Sequence, residues 1–171
     1  MRRLVAAVLL VAAGRVASAQ VIRPSQPAGV MQWVGATKID ITYHRPVARG
    51  RALFGKLVPF DSIWSPSADT AAMFTTSTRI TVNGEALAAG TYSIFTIPGR
   101  ADWTVIFTKD HPVHHMFYKP GHDALRVHAT PRTGDHLETL AILFPMVDAD
   151  SAEMVIHWGT TIVPLKIRSA R

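Results

Sequence analysis

Four residues on one stretch of this chain carry the side chains best suited to hold a ligand: Arg45, Arg51, Trp64 and Asp69. No acidic residue lies between Asp40 and Asp61, and Arg45, Arg49, Arg51 and Lys56 alternate there with Pro46, Gly50 and Gly55. A planar guanidinium binds carboxylate or phosphate oxygens through two parallel N–H bonds, so arginines on a loop stiffened by Pro and Gly suit anion capture. In that reading Arg45 and Arg51 supply the anion contacts, Trp64 a flat apolar wall and Asp69 a polar partner. A structural reading stands beside it, in which Arg45 and Arg51 pair with Asp61 or Asp69 and pin a long loop to the sheet. A third uses Asp69 with His44 as the acid and base of a hydrolase or lyase, supported by proximity in sequence but by no nucleophile motif.

The densest group of potential metal ligands is His111, His114, His115 and His122 with Asp123. Two or three imidazoles with a carboxylate suit zinc, nickel or copper. The spacing is not that of a helical His-x3-His site with a catalytic Glu, although a loop could bring His111 and His115 together; Pro112, Pro120 and Gly121 interrupt the segment, so a solvated His-rich loop is the preferred reading, with no metal and no cofactor expected. Gly50-Arg-Ala-Leu-Phe-Gly55-Lys56-Leu57 comes within one residue of a phosphate-binding loop. Leu57 stands where the magnesium-holding hydroxyl belongs, and the flanks have no strand-then-helix pattern, so that reading is rejected. The absence of cysteine excludes disulfides, thiol nucleophiles and thiolate metal sites together.

These residues must be positioned by strands. With 48% apolar and 18% charged residues in a 171-residue chain, one folded domain is expected. Period-2 alternation dominates: Ile39, Ile41 and Tyr43 share one face and Lys38, Asp40 and Thr42 the other, while Trp103, Val105 and Phe107 alternate with Thr104, Ile106 and Thr108. Further strands are expected over 79–82, 91–97, 124–129, 137–144, 153–158 and 160–167. Asn83-Gly84 is the dipeptide of a type I′ hairpin. The pattern predicts an all-β antiparallel sandwich or barrel-like sandwich of about 8–10 strands, with a short helical or irregular segment between 52 and 72. Trp103, Trp158, Tyr43 and Tyr92 alternate within strands and read as core, whereas Trp64 sits in the irregular region.

The first residues read as a targeting device. Arg2 and Arg3 precede an apolar run from Leu4 to Ala13, and Ala17-Ser18-Ala19 makes a small-x-small cleavage site. The expected organisation is a cleaved signal peptide over 1–19, an extended lead-in over 20–29 and a single β-rich domain over 30–171. Removing Arg2, Arg3 and Arg15 lowers the net charge from +6 to +3, so a nucleic-acid partner is not expected. An exported protein, periplasmic or secreted, with no membrane span after cleavage and a small-molecule or envelope ligand follows from this reading.

From Tyr43 the chain reads Tyr-His-Arg-Pro-x3-Gly-Arg-x-Leu-Phe-Gly-x-Leu-Val-Pro-Phe, then Trp64, then Val-Asn-Gly-x3-Ala-Ala-Gly-Thr-Tyr-Ser-Ile-Phe-Thr-Ile-Pro-Gly to Gly99. With Trp103-Thr-Val-Ile-Phe-Thr-Lys109 and Asp123-x-Leu-Arg126-Val, this resembles the bacterial family called domain of unknown function 2911. The resemblance implies a secreted or periplasmic β-rich domain without an established activity. It also exposes a departure. After Trp64 the family usually has Arg-Thr-Gly-Ala-Asn-Glu-Ala-Thr, whereas this chain has Ser65-Pro-Ser-Ala-Asp-Thr-Ala-Ala72. A family function seated there would be altered in this member. A purely structural envelope role is the third functional alternative.

Overall fold

The structure, a computed structural model, describes residues 24–169; the signal-peptide reading falls on residues outside this range. Ten strands follow one another: β1 (Gln26–Val34), β2 (Thr37–Arg45), β3 (Ala72–Thr76), β4 (Ile80–Val82), β5 (Glu85–Leu87), β6 (Gly90–Ile97), β7 (Trp103–Thr108), β8 (Asp123–Ala129), β9 (Arg132–Val147) and β10 (Ser151–Ser169). They form two antiparallel sheets, one ordered β1-β2-β3-β6-β7-β8 and the other β5-β4-β10-β9, packed face to face as a sandwich that does not close into a barrel. No helix forms among the described residues; the stretch between β2 and β3 is irregular throughout. No helix there is long and apolar enough to cross a membrane.

The alternation read from the sequence is what fills the space between the sheets. Ile39, Ile41 and Tyr43 of β2, with Trp103, Val105 and Phe107 of β7, point inward and are almost wholly buried, and Phe74 meets Phe107 edge-on at 5.2 Å. Fully burying side chains of this size contributes roughly 1.5–3 kcal/mol each, which is why the period-2 pattern fixes which face turns inward. Asn83 and Gly84 both have positive φ (49° and 92°) and join β4 to β5, the geometry a type I′ turn requires.

β3 and β5 were not among the expected strands, and three further elements differ from the expectation. β1 begins at Gln26, inside the stretch read as a lead-in. The segments expected over 153–158 and 160–167 are one strand, β10, whose inward residues change phase from Met154, Ile156 and Trp158 to Val163, Leu165 and Ile167. Register shifts on either side of Gly159, which has φ +58°, produce the change. A β-bulge reverses the parity of every later side chain, and that reversal looks like a strand boundary in the sequence. Third, β9 runs over 132–147, well beyond the expected 137–144.

β9 is an edge strand, and its free groups are taken up by the end of β2 and the residues after it. The Leu140 N–H donates to Pro46 O (2.9 Å), the Ala48 N–H donates to Glu138 O (2.8 Å), and the buried Ile142 N–H donates to the Tyr43 hydroxyl (2.9 Å). This seam ties one sheet to the other. Tyr43→Phe removes the acceptor of Ile142 and leaves a buried amide without a partner. It is expected to cost about 1–3 kcal/mol in urea denaturation with an unchanged m-value, and a smaller change would show that Ile142 finds another acceptor.

Candidate binding site

Arg45 ends β2 and precedes Pro46, so its backbone is extended and its side chain leaves toward the other sheet. Its Nε donates to Leu140 O (2.8 Å) and its Nη2 to Thr139 O (3.3 Å). Arg51 turns back on its own loop, donating from Nε to Ala48 O (2.8 Å) and from Nη2 to Val47 O (2.6 Å). Both guanidinium groups therefore engage backbone carbonyls beside the seam rather than Asp61 or Asp69, the partners expected for a structural role. Glu138 stands at the same place, its carboxylate accepting from Arg49 N–H (2.5 Å) and facing His136 Nε2 (3.0 Å). The His136 contact first, and the Arg49 amide second, hold Glu138 below the ordinary carboxylate range.

Trp64 joins the two halves of the loop. Its backbone exchanges hydrogen bonds with Thr96 of β6 (Trp64 N–H to Thr96 O 2.8 Å, Thr96 N–H to Trp64 O 2.6 Å). Its ring lies parallel to Trp158 of the opposite sheet, 5.9 Å away with 7° between planes, and Phe54 meets both rings and Trp103 edge-on. Trp64 is half-buried, whereas Trp103 and Trp158 are core, as their alternation implies. The ring is thus as much a clamp between the sheets as a ligand wall.

Asp69 goes elsewhere. It takes φ +60°, and its carbonyl accepts the His115 N–H (3.0 Å), while Thr70 bridges to His114 and the Ala71 N–H donates to Val113 O (2.9 Å). These bonds lay the 109–122 loop on the outer face of the six-stranded sheet. A second, smaller core forms beneath it from Ala71, Phe95 and Ile106 with Ile97, Val113 and Tyr118. The Tyr118 hydroxyl donates to Asp123 (2.8 Å to Oδ2), which also accepts from Arg126 Nε (2.6 Å), and burial followed by the Asp123 contact raises the phenol above its ordinary range.

Two cavities flank this loop. One, of about 450 Å³, is lined by Pro27, Gly29, Thr42, His44, Met73 and Pro112 among others; the second, of about 480 Å³, by Ile63, Trp64, His115, Met116, Tyr118 and Pro120. Thr70 lines the first and His115 the second, so Asp69, Thr70, His114 and His115 form the strip between them. At the first cavity, His44 Nδ1 is buried with no hydrogen-bond partner, although the His44 main chain is well held by Ser67 Oγ and Ala68 N–H. Two other buried polar atoms without partners, Ser93 Oγ and Asp110 Oδ2, belong to the same side of the molecule. Ser93 faces Met73 on one side and Thr108 on the other, and Met73 faces Thr42, so one row across the outer face runs Thr42, Met73, Ser93, Thr108.

The structure therefore divides the four residues singled out in the sequence. Arg45 and Arg51 lie at the seam, Asp69 lies with the histidines, and Trp64 touches both neighbourhoods. His114 and His115 have ring centroids 4.6 Å apart, but His122 pairs with Asp110 (2.8 Å) and Asp123 is taken by Tyr118 and Arg126. His111 is exposed, and among the described residues no three His, Cys, Asp or Glu side chains gather as a metal site. Met73, Gly29 and Pro27 carried no functional signal in the sequence, since β1 and β3 were not anticipated as strands there.

What the fold and these cavities define is an antiparallel sandwich with a loop-roofed outer sheet face. The chain belongs to the family described as a protein of unknown function, DUF2911, whose model matches residues 25–167. No curated protein and no solved structure matches it.

Burial, and after it the neighbouring His114, hold the His115 imidazole below its ordinary value of 6.5, with Asp69 pulling the other way. As pH falls below about 6.5 the unfolded chain takes up this proton before the folded one does, so stability contributed by neutral His115 is lost toward the lower folded value. His115→Gln is expected to lose less stability than the wild type between pH 7.5 and 5.5 in urea denaturation. The histidines other than His114 are common to both proteins and cancel, so the comparison reads His115 together with its coupling to His114; equal losses would contradict the assignment.

Proposed function

We propose that this is an exported binding protein whose ligand sits on the outer face of the six-stranded sheet, in the cavity beside His44 and against the strip formed by Asp69, Thr70 and the 109–122 loop. The signal-like N-terminus supports export. The observation that carries the site is His44 Nδ1, a buried ring nitrogen without a partner beside a cavity of about 450 Å³. Leaving such a group unpaired costs roughly 1–3 kcal/mol, which a ligand hydroxyl or amide recovers once the His44 ring turns Nδ1 toward the cavity. The walls from Pro27, Ala28, Gly29, Met73 and Pro112 are apolar, and cavities of several hundred cubic ångströms with few polar groups are the usual form of small-molecule sites. A small ligand with an apolar body and one hydrogen-bonding group fits this chemistry. In this reading Arg45 and Arg51 hold the loop rather than the ligand, and Asp69 positions His115.

The test is an NMR titration with benzamide, phenol and indole as probes. At least one is expected to shift the amide signals of Gly29, Thr42, His44 and Thr70, and His44→Leu to weaken that probe about tenfold, the loss of roughly 1.4 kcal/mol. Shifts confined to the Arg51 and Trp158 neighbourhood, or unaffected by His44→Leu, would overturn the assignment.

A further inference from the structure

β1 is the outer edge of the six-stranded sheet, and the stretch from Gln26 to Val34 contains no charged residue. Edge strands are ordinarily protected from pairing by charges, bulges or proline. Here Pro27 blocks only the start of the strand, and beyond it the outward face carries two exposed large apolar side chains, Met31 and Trp33, at 50% and 51% exposure.

The hydrogen-bonding phase of this edge can be read from its neighbour. Lys38 is the cross-strand partner of Trp33, and the Lys38 main chain bonds toward the opposite side, its N–H to Ser77 Oγ (2.8 Å) and its carbonyl from Ser77 N–H (2.9 Å). Lys38 and Trp33 are therefore a non-hydrogen-bonded pair of the antiparallel ladder, and the main-chain groups of Trp33 point away from β2. Period two gives the same direction to Met31, Gly29 and Pro27. Proline has no N–H, so the outward donors are Gly29, Met31 and Trp33, a set symmetric about Met31.

We propose that a second copy of this chain pairs with β1 edge to edge about a two-fold axis at Met31, joining the two six-stranded sheets into one. Such an interface is isologous, so each contact occurs twice. In this register Met31 faces Met31 of the second copy, and each Trp33 faces Gly29 of the other. The match is complementary in size: the largest side chain of the strand lies across from its glycine, which lines the cavity beside His44. It also meets no charge repulsion, because seven consecutive residues from Ala28 to Val34 carry no ionised group on either side. Pro27 and the Gly35 turn bound that stretch at its two ends, which leaves little room for another register. The Gln32 amide, which donates to Trp33 O (2.8 Å), occupies one lone pair of that carbonyl and leaves the second for the incoming strand. A seven-residue edge is short beside the roughly 1,600 Å² of a standard interface, so the two indoles, each able to bury about 150–250 Å², supply much of the contact and the affinity expected is on the order of micromolar.

Sedimentation velocity on the purified protein should show a concentration-dependent monomer–dimer equilibrium. Met31→Asp places two carboxylates at the axis, and with Trp33→Ala it should weaken association at least tenfold while circular dichroism stays unchanged. Leu143→Asp, at an exposed apolar position on β9, should have no effect. Because the chain has no cysteine, Met31→Cys introduces its only thiol. Directly opposed hydrogen-bonded residues have Cα atoms about 5.5 Å apart, within the range a disulfide spans, so mild oxidation should cross-link Met31→Cys and not Trp33→Cys. A monomer at all concentrations, association lost in Leu143→Asp but kept in Met31→Asp, or equal cross-linking at positions 31 and 33 would each overturn the proposal. None of these readouts depends on the ligand proposed above.

Discussion

The edge of β9 is where the two sheets are made into one structure. Between residues 138 and 142 five main-chain groups are met from the other sheet's chain: Ala48 N–H on Glu138 O, Arg45 on Thr139 O and Leu140 O, Pro46 O on the Leu140 N–H, and the Tyr43 hydroxyl on the Ile142 N–H. The Trp158 indole N–H adds to Glu138 O at 3.3 Å. At about 1 kcal/mol net for each bond the seam approaches the lower end of a domain's whole stability. It also answers the edge-strand problem on this side of the sandwich, because a covered edge cannot recruit another chain. The opposite choice at β1, uncharged and uncovered among the described residues, gains its meaning by contrast.

The seam decides where the long excursion between β2 and β3 can go. Anchored by Arg45 at its start and folded back by Arg51, the chain crosses the end of the sandwich, drives Trp64 between the sheets against Trp158, and returns along the outer face through Asp69. That return is what the 109–122 loop binds to. The second small core under Val113 and Tyr118 then holds the loop down, and the cavities open on either side of it. The cavity wall at Tyr43 and His44 thus adjoins the very residues, Tyr43, Arg45 and Pro46, that make the seam.

Much of this was legible in the sequence. The faces of β2 and β7, the Asn83-Gly84 hairpin and the irregular run after residue 52 follow from period-2 alternation and turn chemistry, which are local. β1 was hidden because Pro27 and Gly29 resemble lead-in residues and because its outward face is apolar at Met31 and Trp33, which erases the alternation. β10 was split by the bulge at Gly159. The site was harder to read for a different reason. Arg45 and Arg51 bond to carbonyl oxygens, which every residue possesses and no side-chain pattern announces. Asp69 meets His115 across 46 positions of chain through a main-chain bond, so only the topology brings the two together.

Amide hydrogen exchange followed by NMR measures the seam most directly. An exposed sheet edge exchanges by local fraying, whereas a seam that joins the sheets opens only when the protein unfolds. The account predicts that Leu140, Ile142 and Ala48 amides exchange with the slowest class, at the free energy shared by Ile94 and Phe107 in the middle of the six-stranded sheet. Exchange of these three amides at a free energy several kcal/mol lower would contradict it, and would show that the sandwich is held by its apolar core alone.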